Sequence, residues 1–309
     1  MGRTVLNVFM WHRVLPEGND DAISVAMFRR QLRYLREHYS RLLSGAELTA
    51  CLAGECPVSG CVAAVTFDDG WLDNLLYATP VLAETGTPAT LALSTGFLHD
   101  ETGPERLQRQ ACAGRSCAEA FRLARQTSDC RSFLSLQAVG ELLGSGLWSI
   151  QAHGHTHIKG GDAAGSGSGY GSGTSALACT ADDAGGRESR AAYMRRVKDD
   201  LIHCRKTIAE VSGSEPDLLF WPWGHYTKEG LGVAADAGFR FTLSTEKGHV
   251  IPPHPHAVPV PRIGVSPRWS KFVRNVRVHR RPLLSHLHRL VSPSPSGRRV
   301  LQKERQRSV

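Results

Sequence analysis

Residues 62–70 read Val62-Ala63-Ala64-Val65-Thr66-Phe67-Asp68-Asp69-Gly70, an apolar run of strand length that ends in two adjacent acidic residues. Two carboxylates at the end of a buried strand are costly to place there without a cation or a proton. In parallel β/α folds the carboxyl ends of the strands carry the active site. Because side chains alternate along a strand, we expect Asp68 and Asp69 to point in different directions, one toward a metal and one free to act as a base. The alternative is a plain Asp-Gly turn.

Strand-length apolar segments alternate with amphipathic helical segments on both sides of this run. The predicted strands are residues 4–11, 62–67, 89–93, 148–152, 218–221 and 239–243, and the predicted helices are residues 25–39, 74–84, 136–143, 193–211 and 229–237. Ser24 and Ser135 are expected to cap the helices that follow them, and Gly86 to end one. About seven such units favour an α/β fold of the distorted (β/α) barrel type over a doubly wound sheet.

Two segments fall outside this alternation. Residues 158–190 are rich in Gly, Ser and Ala and are expected to form a flexible insertion in a catalytic domain of residues 1–268. Residues 269–309 are expected to form a basic, partly disordered tail. From Arg262 to the end the chain has 13 Lys and Arg and one acid, Glu304, so this part has a net charge of +12. Because the whole chain has a net charge of +8, residues 1–261 have a net charge of −4. This distribution argues against a uniformly basic, nucleic-acid-binding surface.

The eight cysteines form no CxxC pair and match no common zinc ribbon. No apolar run approaches the length of a membrane span, and the first residues do not resemble a secretory leader, so we expect a cytoplasmic chain with reduced thiols. A disulfide in the region from Cys112 to Cys130 is the alternative.

A histidine cluster follows the predicted strand 148–152. His153 and His157 lie four residues apart, so their rings can converge on one ion, and His is the commonest ligand for zinc-like metals. One Asp and two His, with other positions left to water, make an open catalytic site. His155 is expected at the rim of such a site. The alternative is a solvated loop with three histidines.

A third cluster, residues 219–226 (LFWPWGHY), follows another predicted strand. Two Trp and a Tyr around Pro and Gly can form a rigid wall on which a sugar ring stacks, and the turn can aim a backbone N–H at a developing oxyanion. The alternative is an aromatic core cluster at a turn.

The three motifs in this order, TFDDG, HxxxH and an aromatic-Pro-aromatic-Gly loop, resemble the polysaccharide deacetylase family (carbohydrate esterase family 4, the NodB-homology domain). The resemblance extends from about residue 5 to residue 265 and includes residues 10–14 (MWHRV), 71–74 (WLDN) and 133–135 (FLS). It implies a distorted (β/α) barrel that removes acetyl groups from N-acetylated sugars with a bound divalent metal.

Carried over residue by residue, the resemblance makes Asp68 the catalytic base. It makes Asp69, His153 and His157 the ligands of a divalent metal, with Zn²⁺ favoured over Co²⁺, Ni²⁺ or Mn²⁺. It places the backbone near Trp223 at the oxyanion. The residues expected to line the substrate site are Trp221, Pro222, Trp223, Gly224, Tyr226 and His12.

The sequence departs from the family pattern at three places. Gly154 stands where the family often has Ser or Thr, and Phe220 stands where many members have an Arg that orients the base. The general acid of the family has no clear match. His254 or His256 is the expected acid, and His12 is a third candidate.

These observations predict a hydrolase that removes the N-acetyl group of an N-acetylhexosamine in a cell-surface glycan or glycolipid precursor. A lipopolysaccharide-core type of substrate is favoured, and residues 269–309 are expected to reach an anionic membrane surface from its inner face. Two alternatives remain open. One is a catalytically silent glycan-binding protein on the same fold. The other, which no motif supports, is nucleic-acid binding through the basic tail.

Overall fold

The computed structural model describes residues 4–55, 59–100, 110, 112, 114–157, 175, 177, 182–183 and 186–291. The strands in these residues are β1 (Val5–Trp11), β2 (Arg13–Leu15), β3 (Ala22–Ser24), β4 (Arg41–Leu43), β5 (Cys61–Asp69), β6 (Ala89–Leu93), β7 (Trp148–Ala152), β8 (Asp182–Asp183), β9 (Gly186–Arg187), β10 (Leu218–Phe220), β11 (Phe241–Leu243) and β12 (Ile263–Gly264). The α-helices are α1 (Val25–His38), α2 (Gly45–Leu52), α3 (Thr79–Thr85), α4 (Cys117–Thr127), α5 (Leu136–Gly144), α6 (Arg190–Ser212), α7 (Lys228–Asp236), α8 (Trp269–His279) and α9 (Pro282–Val291).

The main sheet is parallel and curls into a barrel, as predicted. Its strands run in the order β11-β10-β7-β6-β5-β1-β12, and β4 pairs with the first part of β5. The two ends of this order approach each other, because Val260 bridges to Leu243 of β11 while Ile263 pairs with Phe9 of β1. The carboxyl ends of the strands therefore meet around one opening, and Asp68 and Asp69 are the last residues of β5.

The helix caps follow the sequence closely. The Ser24 side chain accepts a hydrogen bond from the Met27 backbone, and the Ser135 side chain accepts one from the Ala138 backbone. The predicted helix 74–84 instead begins as a π-helical turn, residues 74–78, and continues as α3. Pro80, in the first turn of α3, has no N–H to donate to the preceding turn, which favours the wider π geometry there.

The first helix of the expected tail belongs to the barrel core. Phe272 and Val276 of α8 are fully buried, and the Phe272 ring lies 6.1 Å from that of Phe9. Helix α8, which begins just after the boundary predicted at residue 268, thus packs with the barrel in the described chain. Helix α9 follows it and extends to residue 291. The disorder predicted from residue 292 onward lies outside the described residues.

Most of the predicted flexible insertion, residues 158–190, also lies outside the described residues. Leu177, which is described, is buried in the main core, and its carbonyl accepts a hydrogen bond from the Tyr193 hydroxyl at 2.7 Å. Cys112, Cys117 and Cys130 are free thiols, so the alternative disulfide does not form among them.

Candidate functional site

Three buried side chains converge at the mouth of the barrel. The Asp69 Oδ1 atom lies 3.3 Å from His153 Nε2 and 3.1 Å from His157 Nε2. One potential ligand atom from each residue lies within 4.8 Å of the other two. Asp69 comes from the end of β5, and the two histidines come from the loop after β7, two strands along the sheet. The carboxyl ends of the parallel strands thus bring together Asp69 and His153, which are 84 positions apart in sequence.

Neighbouring groups hold each of the three side chains in place. The His153 Nδ1–H donates to the Phe220 carbonyl at 2.8 Å, which leaves Nε2 facing Asp69. The Trp71 indole N–H donates to Asp69 Oδ2 at 2.9 Å. The His157 ring lies parallel to that of Phe121 at 5.0 Å and also contacts Trp223 at 4.2 Å.

The donor set fits a divalent transition metal ion. Burial by itself raises the pKa of Asp69, but His157 and His153 outweigh it and hold that pKa well below its usual range, so the carboxylate is ionised. One carboxylate and two imidazole nitrogens, all buried, are typical of an open metal site with positions left for water and substrate. Hydrogen bonds orient Asp69 and His153, and ring packing orients His157. The residues predicted as ligands are thus together.

Asp68 is not one of the three residues of this triad, and its carboxylate faces Arg262. The guanidinium binds both carboxylate oxygens, with Nη1 2.6 Å from Oδ1 and Nη2 2.8 Å from Oδ2. Arg262 is fully buried, donates its Nε–H to the Ser244 carbonyl, and stacks on the Phe220 ring at 4.9 Å. Burial raises the pKa of Asp68, but Arg262 and other positive neighbours lower it further, so the net shift is downward.

Arg262 is a functional residue that sequence reasoning missed. Phe220 occupies the position where an arginine beside the base was expected. The guanidinium that binds the base belongs instead to Arg262, which directly precedes β12, the last strand of the barrel. A signal was present, because Arg262 stands directly before the apolar strand residue Ile263, where an unpaired charge is disfavoured. Its partner could not be read from the sequence, since Asp68 lies 194 positions away.

The structure places His254 and His256, the expected general acids, away from Asp68. His254 Nε2 donates to the Val258 carbonyl, and the His256 ring stacks on Phe241, at the amino end of β11. Both therefore lie at the end of the barrel opposite Asp68. His12 is the candidate that the fold brings to the site: its Nε2 lies 4.0 Å from Asp68 Oδ2, and its side chain is 43% exposed.

The aromatic loop contributes fewer substrate-facing groups than predicted. Trp221 is fully buried in the main core, and Pro222 and Gly224 are also buried, so these three residues offer no surface to a sugar. Gly224 is required there, because a Cβ would lie 2.2 Å from Thr245 Oγ1 at a φ of +70°. Trp223 and Tyr226 remain partly exposed, and the Trp223 ring contacts the proposed ligand His157.

A second residue missed by the sequence, Asp200 of α6, organises the histidine loop. Its carboxylate accepts hydrogen bonds from the His155 backbone at 2.7 Å, the Thr156 backbone at 2.9 Å and the Thr156 hydroxyl at 2.7 Å. Gly154 makes room for this contact, since a Cβ there would lie 3.2 Å from Asp200 Oδ1. His155 is not one of the ligand triad; its ring meets that of His203, also of α6, edge to face with the ring centres 4.1 Å apart.

The site also concentrates unusual backbone geometry. Four described non-glycine residues have positive φ, and three of them are Asp69 at 78°, His157 at 43° and Trp223 at 56°. Residues with a side chain disfavour positive φ, so the surrounding contacts must stabilise the backbone at these three positions. Strain of this kind clusters where a protein positions reacting groups.

Comparison with known proteins agrees with this geometry. Residues 57–242 match the family described as polysaccharide deacetylase. Two Escherichia coli proteins, from O157:H7 and K12, both poly-beta-1,6-N-acetyl-D-glucosamine N-deacetylases, are 21% identical over 269 residues. That alignment covers 86% of this chain and 38% of each relative, so the chain spans well under half of their length.

Two solved structures share the fold. A de-N-acetylase from Aggregatibacter actinomycetemcomitans superposes with a TM-score of 0.66 at 17% identity, covering 88% of this chain and 99% of that one. IcaB from Ammonifex degensii superposes with a TM-score of 0.63 at 21% identity, covering 89% and 97%.

Proposed function

Because this chain belongs to the polysaccharide deacetylase family, whose members are carbohydrate N-deacetylases that hydrolyse a carbon–nitrogen bond, we propose that it removes the N-acetyl group from an N-acetylhexosamine of a glycan. One observation carries the proposal: an Asp-His-His triad stands beside an ionised carboxylate, Asp68, that is not part of it. A ligand set and a separate base are the two parts that metal-assisted amide hydrolysis requires.

Asp69, His153 and His157 are the residues that would hold the metal. A divalent ion bound there supplies Lewis-acid polarisation of the acetamide carbonyl. Asp68 accepts a proton from the attacking water, and Arg262 keeps that carboxylate ionised and fixed in orientation. A backbone N–H of the turn at Trp223 is proposed to stabilise the developing oxyanion. The same turn keeps the Trp223 ring against His157, where it limits access of bulk water.

His12 is proposed as the acid that completes the reaction. When the carbon–nitrogen bond breaks, the departing nitrogen needs a proton, and the products are acetate and a free amino sugar. The His12 ring lies 4.0 Å from Asp68 and is 43% exposed, so it can exchange a proton with solvent between turnovers.

The first substrate to test is a β-1,6-linked N-acetylglucosamine oligomer, because two relatives act on the polymer of that sugar according to their names. A lipopolysaccharide-core type of glycan, expected from the sequence, is the second. Acetate release from each, measured with the zinc-loaded protein, ranks the two.

The decisive variant is Asp68→Asn. We expect it to retain zinc at the wild-type stoichiometry and to lose acetate release by about 10³-fold or more, since the base is gone while the ligand set remains. The Asp69→Asn variant should lose both zinc and activity. A wild-type protein that binds glycan and zinc but releases no acetate would instead indicate the silent glycan-binding alternative, and a fully active Asp68→Asn protein would contradict the assigned base.

A further inference from the structure

The last described helix, α9, turns apolar side chains toward solvent. Leu283, Leu284 and Leu287 are 75%, 41% and 54% exposed. At 100° per residue these three positions share one face of the helix, and Ser285 lies on the other face, where it is buried against His279 at 2.8 Å. The apolar stripe of an amphipathic helix normally faces the core. In α9 it faces away from the barrel.

Cationic side chains accompany this stripe. No acidic residue occurs between Glu246 and Glu304 in the sequence. Besides Arg289, which pairs with Glu246, the exposed Lys and Arg in and around α8 and α9 are Arg268, Lys271, Arg274, Arg277 and Arg281. Within the described part of the chain none of these five makes an ion pair with an acid. Two of the five lie near further basic groups. Burial, with Lys271 and Arg274 close by, lowers the pKa of Lys247, and burial, with Lys247 and Arg274 close by, lowers the pKa of His288 on α9.

We propose that this docking face, meaning the three leucines of α9 with the five cations just named, binds the surface of an anionic phospholipid bilayer. Leucines enter the boundary between headgroups and acyl chains, and Lys and Arg meet lipid phosphates; an interfacial helix combines both. No described helix is both long and apolar enough to cross a bilayer, so the contact is with the surface.

Charge decides against other occupants of the same face. A second copy of the chain would bring two cationic faces together, with no acids to neutralise them. Residues 292–309 of this chain contain five Lys and Arg and one acid, so they carry the same sign as the face they would cover. A nucleic acid would satisfy the cations and leave the leucines in water.

The docking face is connected to the site by two side-chain contacts. Arg289, on α9, lies 3.5 Å from a carboxylate oxygen of Glu246, and the other oxygen of Glu246 accepts a hydrogen bond from the Tyr226 hydroxyl at 3.2 Å. Tyr226 is one of the two partly exposed rings of the aromatic loop. Binding at α9 would therefore leave the rim of the site close to the lipid surface, where a membrane-attached glycan could reach it if the proposed deacetylase activity holds.

The test is sedimentation of the full chain with vesicles of phosphatidylglycerol and phosphatidylcholine, compared with vesicles of phosphatidylcholine alone. We expect at least about tenfold tighter binding to the anionic vesicles. Combined replacement of the three α9 leucines by Ser should weaken that binding about tenfold or more, because their apolar area no longer enters the bilayer. The matched control replaces Leu136 and Ile202, exposed on other helices, by Ser and should bind like the wild type.

Equal binding to both kinds of vesicle, or no binding to either, would overturn the proposal. Binding that survives the leucine replacements unchanged would assign the attraction to charge alone and would also overturn it. The proposal would also be overturned if light scattering shows a dimer in the absence of lipid and the leucine replacements convert that dimer to monomer. No substrate is involved, and Asp68→Asn should sediment like the wild type, so this result is independent of the catalytic proposal.

Discussion

Replacing Asp200 with Asn is expected to weaken metal binding at a site that the residue does not touch. Asp200 Oδ1 accepts one hydrogen bond, from the His155 backbone, and Oδ2 accepts two, from the Thr156 backbone and hydroxyl. His155 and Thr156 lie between the ligands His153 and His157, so this carboxylate sets the path of the chain from one ligand to the other.

The size of the effect can be worked from these three bonds. An Asn side chain can keep its oxygen toward Thr156, which preserves two hydrogen bonds but removes their charge, and its amide group then faces the His155 N–H, where two donors meet. A charge-assisted bond contributes about 1.5–3 kcal/mol against about 0.5–1.5 for a neutral one, and an unsatisfied buried donor costs about 1–3 kcal/mol. Two bonds that lose about 1–1.5 kcal/mol each, together with the unsatisfied donor, bring the total to about 3–6 kcal/mol. If half of it falls on the geometry of the ligands, zinc affinity drops about 10–100-fold, the range typical of lost outer-shell partners.

The assay is competition for zinc between the protein and a fluorescent chelator. Asp199→Asn is the matched control, because Asp199 is the adjacent residue of α6, carries the same charge and is exposed. We expect Asp199→Asn to bind zinc like the wild type, and Thr156→Ser, which keeps the hydroxyl, to stay close to it. If Asp200→Asn does not fold, Thr156→Val removes one donor only and should lose about 3–10-fold. Folded Asp200→Asn protein with zinc affinity within about twofold of the control refutes the reasoning.

Three further predictions concern the base, the aromatic loop and the metal. Arg262→Gln should raise the pKa of Asp68, because the guanidinium that favours the ionised form is lost, and the acidic limb of the kcat/KM profile should move to higher pH; an unmoved limb would show that Arg262 does not control the base. Gly224→Ala should lower the free energy of unfolding by more than about 2 kcal/mol, since its Cβ would overlap backbone and side-chain atoms, whereas Gly232→Ala, with no atom within 4 Å of its Cβ, should be neutral or stabilising in a thermal melt. Zinc at about 100 times its Kd should stabilise the wild type by about 2.7 kcal/mol, and the same addition should leave the melting temperature of Asp69→Asn unchanged.

The parts of the site carried by local motifs were predictable from sequence. Asp69 is the last residue of β5, and His153 and His157 lie in the loop that follows β7. Parallel strands bring such positions to one opening whatever the details of the barrel. Strand alternation predicts that the two adjacent carboxylates meet different partners, which are Arg262 for Asp68 and the two histidines for Asp69. The barrel and its helix caps follow from the same local signals.

The predictions failed for residues whose position depends on contacts with parts of the chain that are distant in sequence. An arginine near the end of the chain gives no sign of which acid it meets, so Arg262 and Asp68 could be paired only in three dimensions. His254 and His256 were chosen for their place in sequence, but the chain after β11 returns past the amino end of the barrel, where Val250 bridges to Leu6. Trp221 was predicted at the surface because aromatic residues suit sugars, and the strand end buries it.

The positive φ angles of Asp69, His157 and Trp223 have a consequence for engineering. Glycine at such positions relieves a backbone cost of about 1 kcal/mol or more each, so a screen for heat-resistant variants would reward those exchanges. Each exchange also removes a proposed ligand or the ring that packs on one. Thermal stability and catalytic activity therefore conflict at these three positions. A more stable variant of this protein has to gain its stability elsewhere, for example at Gly232, the exposed glycine of α7.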